Sequence, residues 1–130
     1  MKFDLTEREL AREKAYRLSR GMIGAVQEEC WKIADAHGFH DVGQSFGDKL
    51  MLIVSEAAEA LEEFREGHQP NESWYEGDGL PKLCGIPSEL ADIAIRLFDT
   101  AHGYGIDLQQ VIAEKMEYNR SRPYLHNKVL

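Results

Sequence analysis

Apolar residues recur at helical spacing along most of the chain. Met22, Ile23, Val26, Cys30, Ile33 and Ala34 form one such series, and Leu50, Ile53, Val54, Ala57, Leu61 and Phe64 a second. Leu90, Ile93, Ala94, Leu97, Phe98 and Ala101 give a third, and Leu108, Val111, Ile112 and Met116 a fourth. No segment sustains strand alternation, so the pattern predicts an all-α fold: four core helices with an N-terminal helical extension and a long central loop. Punctuation agrees. Thr6-Glu7-Arg8-Glu9 reads as a capping box with Leu5 and Leu10 as its staple, and His37-Gly38 ends the segment that follows as two helices or one bent helix. Ser45, with Asp48 three residues on, opens the next helix, which Gly67 and Pro70 close. Pro87 suits the first turn of the third series, ended by Gly103 and Gly105, and Asp107-Leu108-Gln109-Gln110 caps the fourth, which must stop before Pro123. From Glu66 to Gly85 the apolar period vanishes, and loops this long inside small domains are usually functional or mobile.

Composition narrows the class. In 130 residues, 15 Lys+Arg stand against 23 Asp+Glu, a net charge of −8 that disfavours a broad nucleic-acid surface. With 43% hydrophobic residues and only 11 Gly and 4 Pro, a single globular domain is expected over 21–125, after the 1–20 extension and before a 126–130 tail. Cys30 and Cys84 have no CxxC spacing, which argues against a disulfide framework or a zinc site and for a reducing, cytoplasmic setting. The longest aliphatic run, Leu50 to Val54, is far shorter than the roughly 18 residues of a membrane span.

The candidate chemistry lies in paired carboxylates. Glu56 and Glu59 are three apart on one helix, Glu89 and Asp92 three apart on another, so each pair projects from one face. Two antiparallel helices could converge all four on one volume, where they would repel one another without a cation. Hard oxygen donors favour Mg²⁺, with Mn²⁺ as a substitute, and Mg²⁺ keeps positions open for water and phosphates. Glu62, Glu63 and Glu66 extend the acidic face; Glu62 or Glu63 could add a ligand or serve as a base, while Glu66 reads as solvated. The opposite charge lies downstream, where Lys115, Asn119 and Arg122 can share a helix face, provided the helix persists to Arg122, and there hold phosphate. Cations near a helix C-terminus also oppose its dipole without any ligand. Trp74, Tyr118 and Tyr124 offer stacking surfaces for a base, Trp31 reads as core, and the five histidines are scattered with none assigned to metal.

These motifs resemble one family. Glu56-Ala57-Ala58-Glu59, Glu89-Leu90-Ala91-Asp92, Lys115 and Asn119-Arg120 look like the E-x-x-E, E-x-x-D, Lys and Asn-Arg elements of the MazG-like members of the all-α nucleoside triphosphate pyrophosphohydrolases, over roughly residues 20–124. The resemblance implies a four-helix-bundle core and Mg²⁺-dependent cleavage between the α and β phosphates of an NTP or dNTP. It assigns Glu56, Glu59, Glu89 and Asp92 to metal and Glu59 or Glu63 to base catalysis. Lys115 and Arg122 then stabilise phosphate charge, with Asn119, Trp74 and Tyr124 toward the nucleoside. It also implies a homodimer or homotetramer. Two alternatives share the pattern: a phosphoribosyl-ATP pyrophosphohydrolase-like enzyme and a non-catalytic acidic helical interaction module. A di-iron carboxylate bundle is disfavoured, because no Glu is followed three positions later by His.

Overall fold

The computed structural model describes residues 22–127, and they are mostly helical. The expected helix at Thr6 lies outside the described residues. Helix α1 spans Ile23–Ala36, α2 Phe46–Arg65, α3 Ile86–Gly103 and α4 Leu108–Ser121, with short 3₁₀ turns at Phe39–Val42 and Tyr124–Asn127. The expected stops hold for physical reasons. Ser45 and Asp48 form a complete reciprocal capping box, which satisfies two otherwise orphaned N–H groups at the start of α2. Asp107 accepts from the Gln110 amide at 3.1 Å, one half of such a box. Arg122 is extended (φ −76°, ψ 147°), as a residue preceding proline should be.

The 66–85 segment departs from the expectation of an unstructured loop. Trp74–Glu76 (β1) and Lys82–Cys84 (β2) pair antiparallel, with Trp74 opposite Cys84, Tyr75 opposite Leu83 and Glu76 opposite Lys82. Three residues per strand are too few to show a period of two, and the backbone ladder makes the element. The hairpin is pinned to the start of α3. Ser88 Oγ donates to the Leu83 carbonyl at 2.9 Å, and Gly85 adopts φ +102° where the chain turns into the helix. A Cβ at Gly85 would lie 2.4 Å from the Glu72 carbonyl oxygen and 3.1 Å from the Trp74 ring, so a left-handed conformation and a close approach both require glycine here.

Helices α1, α2 and α3 pack side by side, α3 in the middle, and α4 leans on α1. The contacts of Lys49 with Asp99 and of Glu56 with Arg96 show that α2 and α3 run antiparallel. Beyond the C-terminal end of α3, Gln27 Nε2 donates to the Ile106 carbonyl at 2.7 Å and the Gly24 amide donates to Gln109 Oε1 at 3.1 Å, tying α1 to the α3–α4 turn. The buried apolar residues are mostly small: Cys30, Ala60, Ile86, Ala101 and Ala113. No helix of the described residues is long and apolar enough to cross a membrane.

Candidate functional site

Where α2 and α3 face each other, three carboxylates meet. Glu56, Glu59 and Glu89 each offer an oxygen within 4.8 Å of the other two. Glu56 is only 5% exposed and Glu89 9%, whereas Glu59 is open to solvent. The helical period explains the meeting: Glu56 and Glu59 lie about 60° apart around α2, and Glu89 is in the first turn of α3, placed there by the Gly85 turn. Asp92, half-buried one turn further along α3, lies outside this tight trio but feels its charge.

The electrostatics are those of crowded acids. Burial, then the charge and hydrogen bond of Glu59, then Asp92 and Glu56, push the Glu89 carboxyl up to about 7. Asp92 is also raised, by burial and by Glu56, with Arg96 and Lys82 opposing the rise. One cation is already present: Arg96 Nε on α3 donates to the buried Glu56 carboxylate. All the donors are hard oxygens, which fits Mg²⁺ or Mn²⁺; a thiolate- or imidazole-seeking metal finds no partner in this trio.

A second group forms where α2 ends. Glu63, Glu66 and His68 also bring ligand atoms within 4.8 Å. His68 Nε2 lies 3.5 Å from Glu63 and Nδ1 3.3 Å from Glu72, and its ring lies against Trp74 with centroids 4.4 Å apart. Trp74 Nε1 in turn donates to Glu76 at 2.7 Å. Trp74 is thus engaged in bracing the hairpin against the end of α2, and Glu63 faces that brace.

The cations singled out from the sequence sit elsewhere in the chain. On α4, Lys115 Nζ and Arg122 Cζ lie 5.2 and 5.5 Å from the Tyr118 ring centre, one from each side along the helix. Both side chains reach Tyr118, but α4 ends at Ser121 and Arg122 is extended, so the helix face expected of Lys115, Asn119 and Arg122 stops short of Arg122. Among the described residues no hydrogen bond or ion pair joins the three to the carboxylates of α2 and α3. Arg120 pairs with Glu117, and Tyr124 is 90% exposed.

Sequence reasoning passed over three participants. Arg96 follows Asp92 by four residues, a spacing that puts both on one helix face and is readable in principle. Lys82 owes its position to the hairpin register and had no signal. His40 sits between two carboxylates, Nδ1 at 3.0 Å from Asp35 and Nε2 at 2.7 Å from Asp99, and stacks on Trp31 at 5.1 Å. Lys49 approaches Asp99 at 3.9 Å, and the group borders a cavity of about 300 Å³ also lined by Phe39 and Tyr104. Burial depresses the imidazole, but the two carboxylates outweigh it and hold its pKa above the ordinary value. Searched against protein-family models, curated proteins and solved structures, the chain matches none.

Proposed function

We propose that the protein is a Mg²⁺-dependent nucleoside triphosphate pyrophosphohydrolase, cleaving an NTP or dNTP between the α and β phosphates to a monophosphate and pyrophosphate. The observation that carries this reading is the trio Glu56, Glu59 and Glu89, two of them buried, with oxygens within 4.8 Å. Buried acids this close are costly unless a cation is shared among them. In this reading Glu56, Glu59, Glu89 and Asp92 hold magnesium. Magnesium bound there would neutralise phosphate charge and make water a better nucleophile near neutral pH. Glu59, exposed at the rim, or Glu63, one turn further along the same face of α2, takes the proton as water adds to phosphorus and the bond to the leaving pyrophosphate breaks. Lys115, Asn119 and Arg122 reach substrate across a homodimer or homotetramer, with a partner's α4 lying over the α2–α3 face and completing a four-helix-bundle assembly; Tyr124, free in the single chain, and Trp74 are the stacking candidates for the base.

The test is pyrophosphate release from a panel of NTPs and dNTPs with Mg²⁺, with chelator, and with Glu89→Gln protein. Release that requires Mg²⁺ and falls at least a hundredfold in the variant is expected. No release from any triphosphate, with no magnesium binding by calorimetry, would leave an acidic interaction module in its place.

A further inference from the structure

A polyanionic substrate approaching four carboxylates needs positive charge on the same side, and within one chain α4 does not supply it. Two other cations do. Arg96 spends one donor, Nε, on Glu56; its terminal amino groups make no hydrogen bond among the described residues, and its side chain is 39% exposed. A guanidinium in that state is anchored at one edge and open at the other, which suits it to grip a phosphate with its remaining fork. Lys82 is exposed on β2, opposite Glu76, with no ion pair or hydrogen bond from its ammonium group among the described residues. The Ser88–Leu83 bond and the Gly85 turn hold β2 at the start of α3, from which Glu89 and Asp92 project. Arg96 lies one turn beyond Asp92 on α3 and reaches Glu56, and β2 is hydrogen-bonded to the first turn of α3, the turn that carries Glu89.

Resting on the pyrophosphohydrolase reading, we infer that Arg96 and Lys82 are the phosphate-contacting cations supplied in cis, Arg96 positioning Glu56 with one edge and gripping phosphate with the other, and the β1–β2 hairpin carrying Lys82 to the leaving pyrophosphate. The division of labour is chemical. Arg96 offers a planar fork beside the metal ligands, whereas Lys82 is a mobile point charge at the rim. The hairpin thereby gains a role that its few residues would not otherwise suggest: it sets where the outer phosphates end.

Calorimetric titration with inorganic tripolyphosphate in Mg²⁺, beside titration with Mg²⁺ alone, tests this without knowing the base. Lys82→Gln should weaken tripolyphosphate about tenfold and leave Mg²⁺ affinity within twofold, because its side chain holds no part of the fold. Arg96→Lys keeps a charge beside Glu56 but loses the fork, and should weaken tripolyphosphate by a similar factor. In turnover, Lys82→Gln should raise KM more than it lowers kcat. Unchanged tripolyphosphate affinity in both variants, with a wild-type protein that binds it, overturns this inference and leaves the pyrophosphohydrolase reading standing. A wild-type protein that binds Mg²⁺ and tripolyphosphate not at all overturns both.

Discussion

Glu89 is buried and crowded by other carboxylates, and its ionisation should be visible in the stability of the metal-free protein. Its carboxyl is pushed up to about 7 in the fold from an ordinary value of 4.5, because burial and the charge of Glu59 oppose the anion. Between those two values the folded state holds a proton that the unfolded chain has released, so stability falls as pH rises. The stabilising contribution is complete below about 4.5 and gone above about 7. It is worth of order 2–3 kcal/mol across that window. Asp92, also raised, acts in the same sense, and so does His40 above pH 6.5, since a raised imidazole loses its paired form as pH rises. Chemical denaturation at pH 5, 6, 7 and 8 should therefore show the chelated wild type weakening steadily, while Glu89→Gln is flatter and the more stable of the two at pH 8. Magnesium should reverse the trend, stabilising the wild type more at pH 8, where the ligands are ionised, than at pH 5. A Glu89→Gln protein with the wild type's pH slope would mean that the cluster is not strained.

At the scale of elements, the helices were written in the sequence and the hairpin was not. Ser45 and Asp48, Asp107, and Pro123 mark helix ends by local chemistry that no distant contact can change, and the period of 3.6 in each helix supplies the rest. The same locality made Glu56, Glu59 and Glu89 legible as faces of two helices. Arg96 was legible only by asking which residue lies one turn from Asp92, and Lys82 only through pairing between strands of three residues each. The placement of α4 on α1 was beyond reach, because an amphipathic helix shows that it has a face without showing what covers it. Gly85 is where the hairpin's geometry can be tested. Gly85→Ala puts a methyl 2.4 Å from the Glu72 carbonyl and forces an alanine to φ +102°. A loss of about 2–4 kcal/mol in urea denaturation is expected, from backbone strain and overpacking together. The same variant should weaken tripolyphosphate and Mg²⁺ together, since the Gly85 turn positions both the strand of Lys82 and the first turn of α3 that carries Glu89.

At the scale of the molecule, the apolar surface is out of proportion to the buried core. Among the described residues no large side chain is less than 2% exposed, while Leu50, Val54, Leu61 and Phe64 of α2 stand 41–57% open. On a helix turning 100° per residue these four fall within about 80° of one another, a continuous stripe beside the face that carries Glu56 and Ala60 toward α3. Leu90 and Leu97 of α3 and Val111 and Met116 of α4 are open as well. A continuous apolar stripe of this length is what a second copy of the same helix would cover in a two-fold interface, and a soluble monomer rarely leaves one bare. Sedimentation of the wild type should give a dimer or tetramer at micromolar concentration, with a melting temperature that rises with protein concentration. Val54 is 54% exposed in the single chain, so Val54→Glu costs the isolated fold little but buries an unpaired charge in the assembly. The variant should dissociate with an affinity loss of at least a hundredfold while keeping its helical circular dichroism. If α4 of one copy completes the site of another, turnover should fall with the dimer, and Mg²⁺ binding to the trio, which one chain forms alone, should survive it. A variant that stays monomeric and fully active would confine the whole site to one chain and remove Lys115, Asn119 and Arg122 from it.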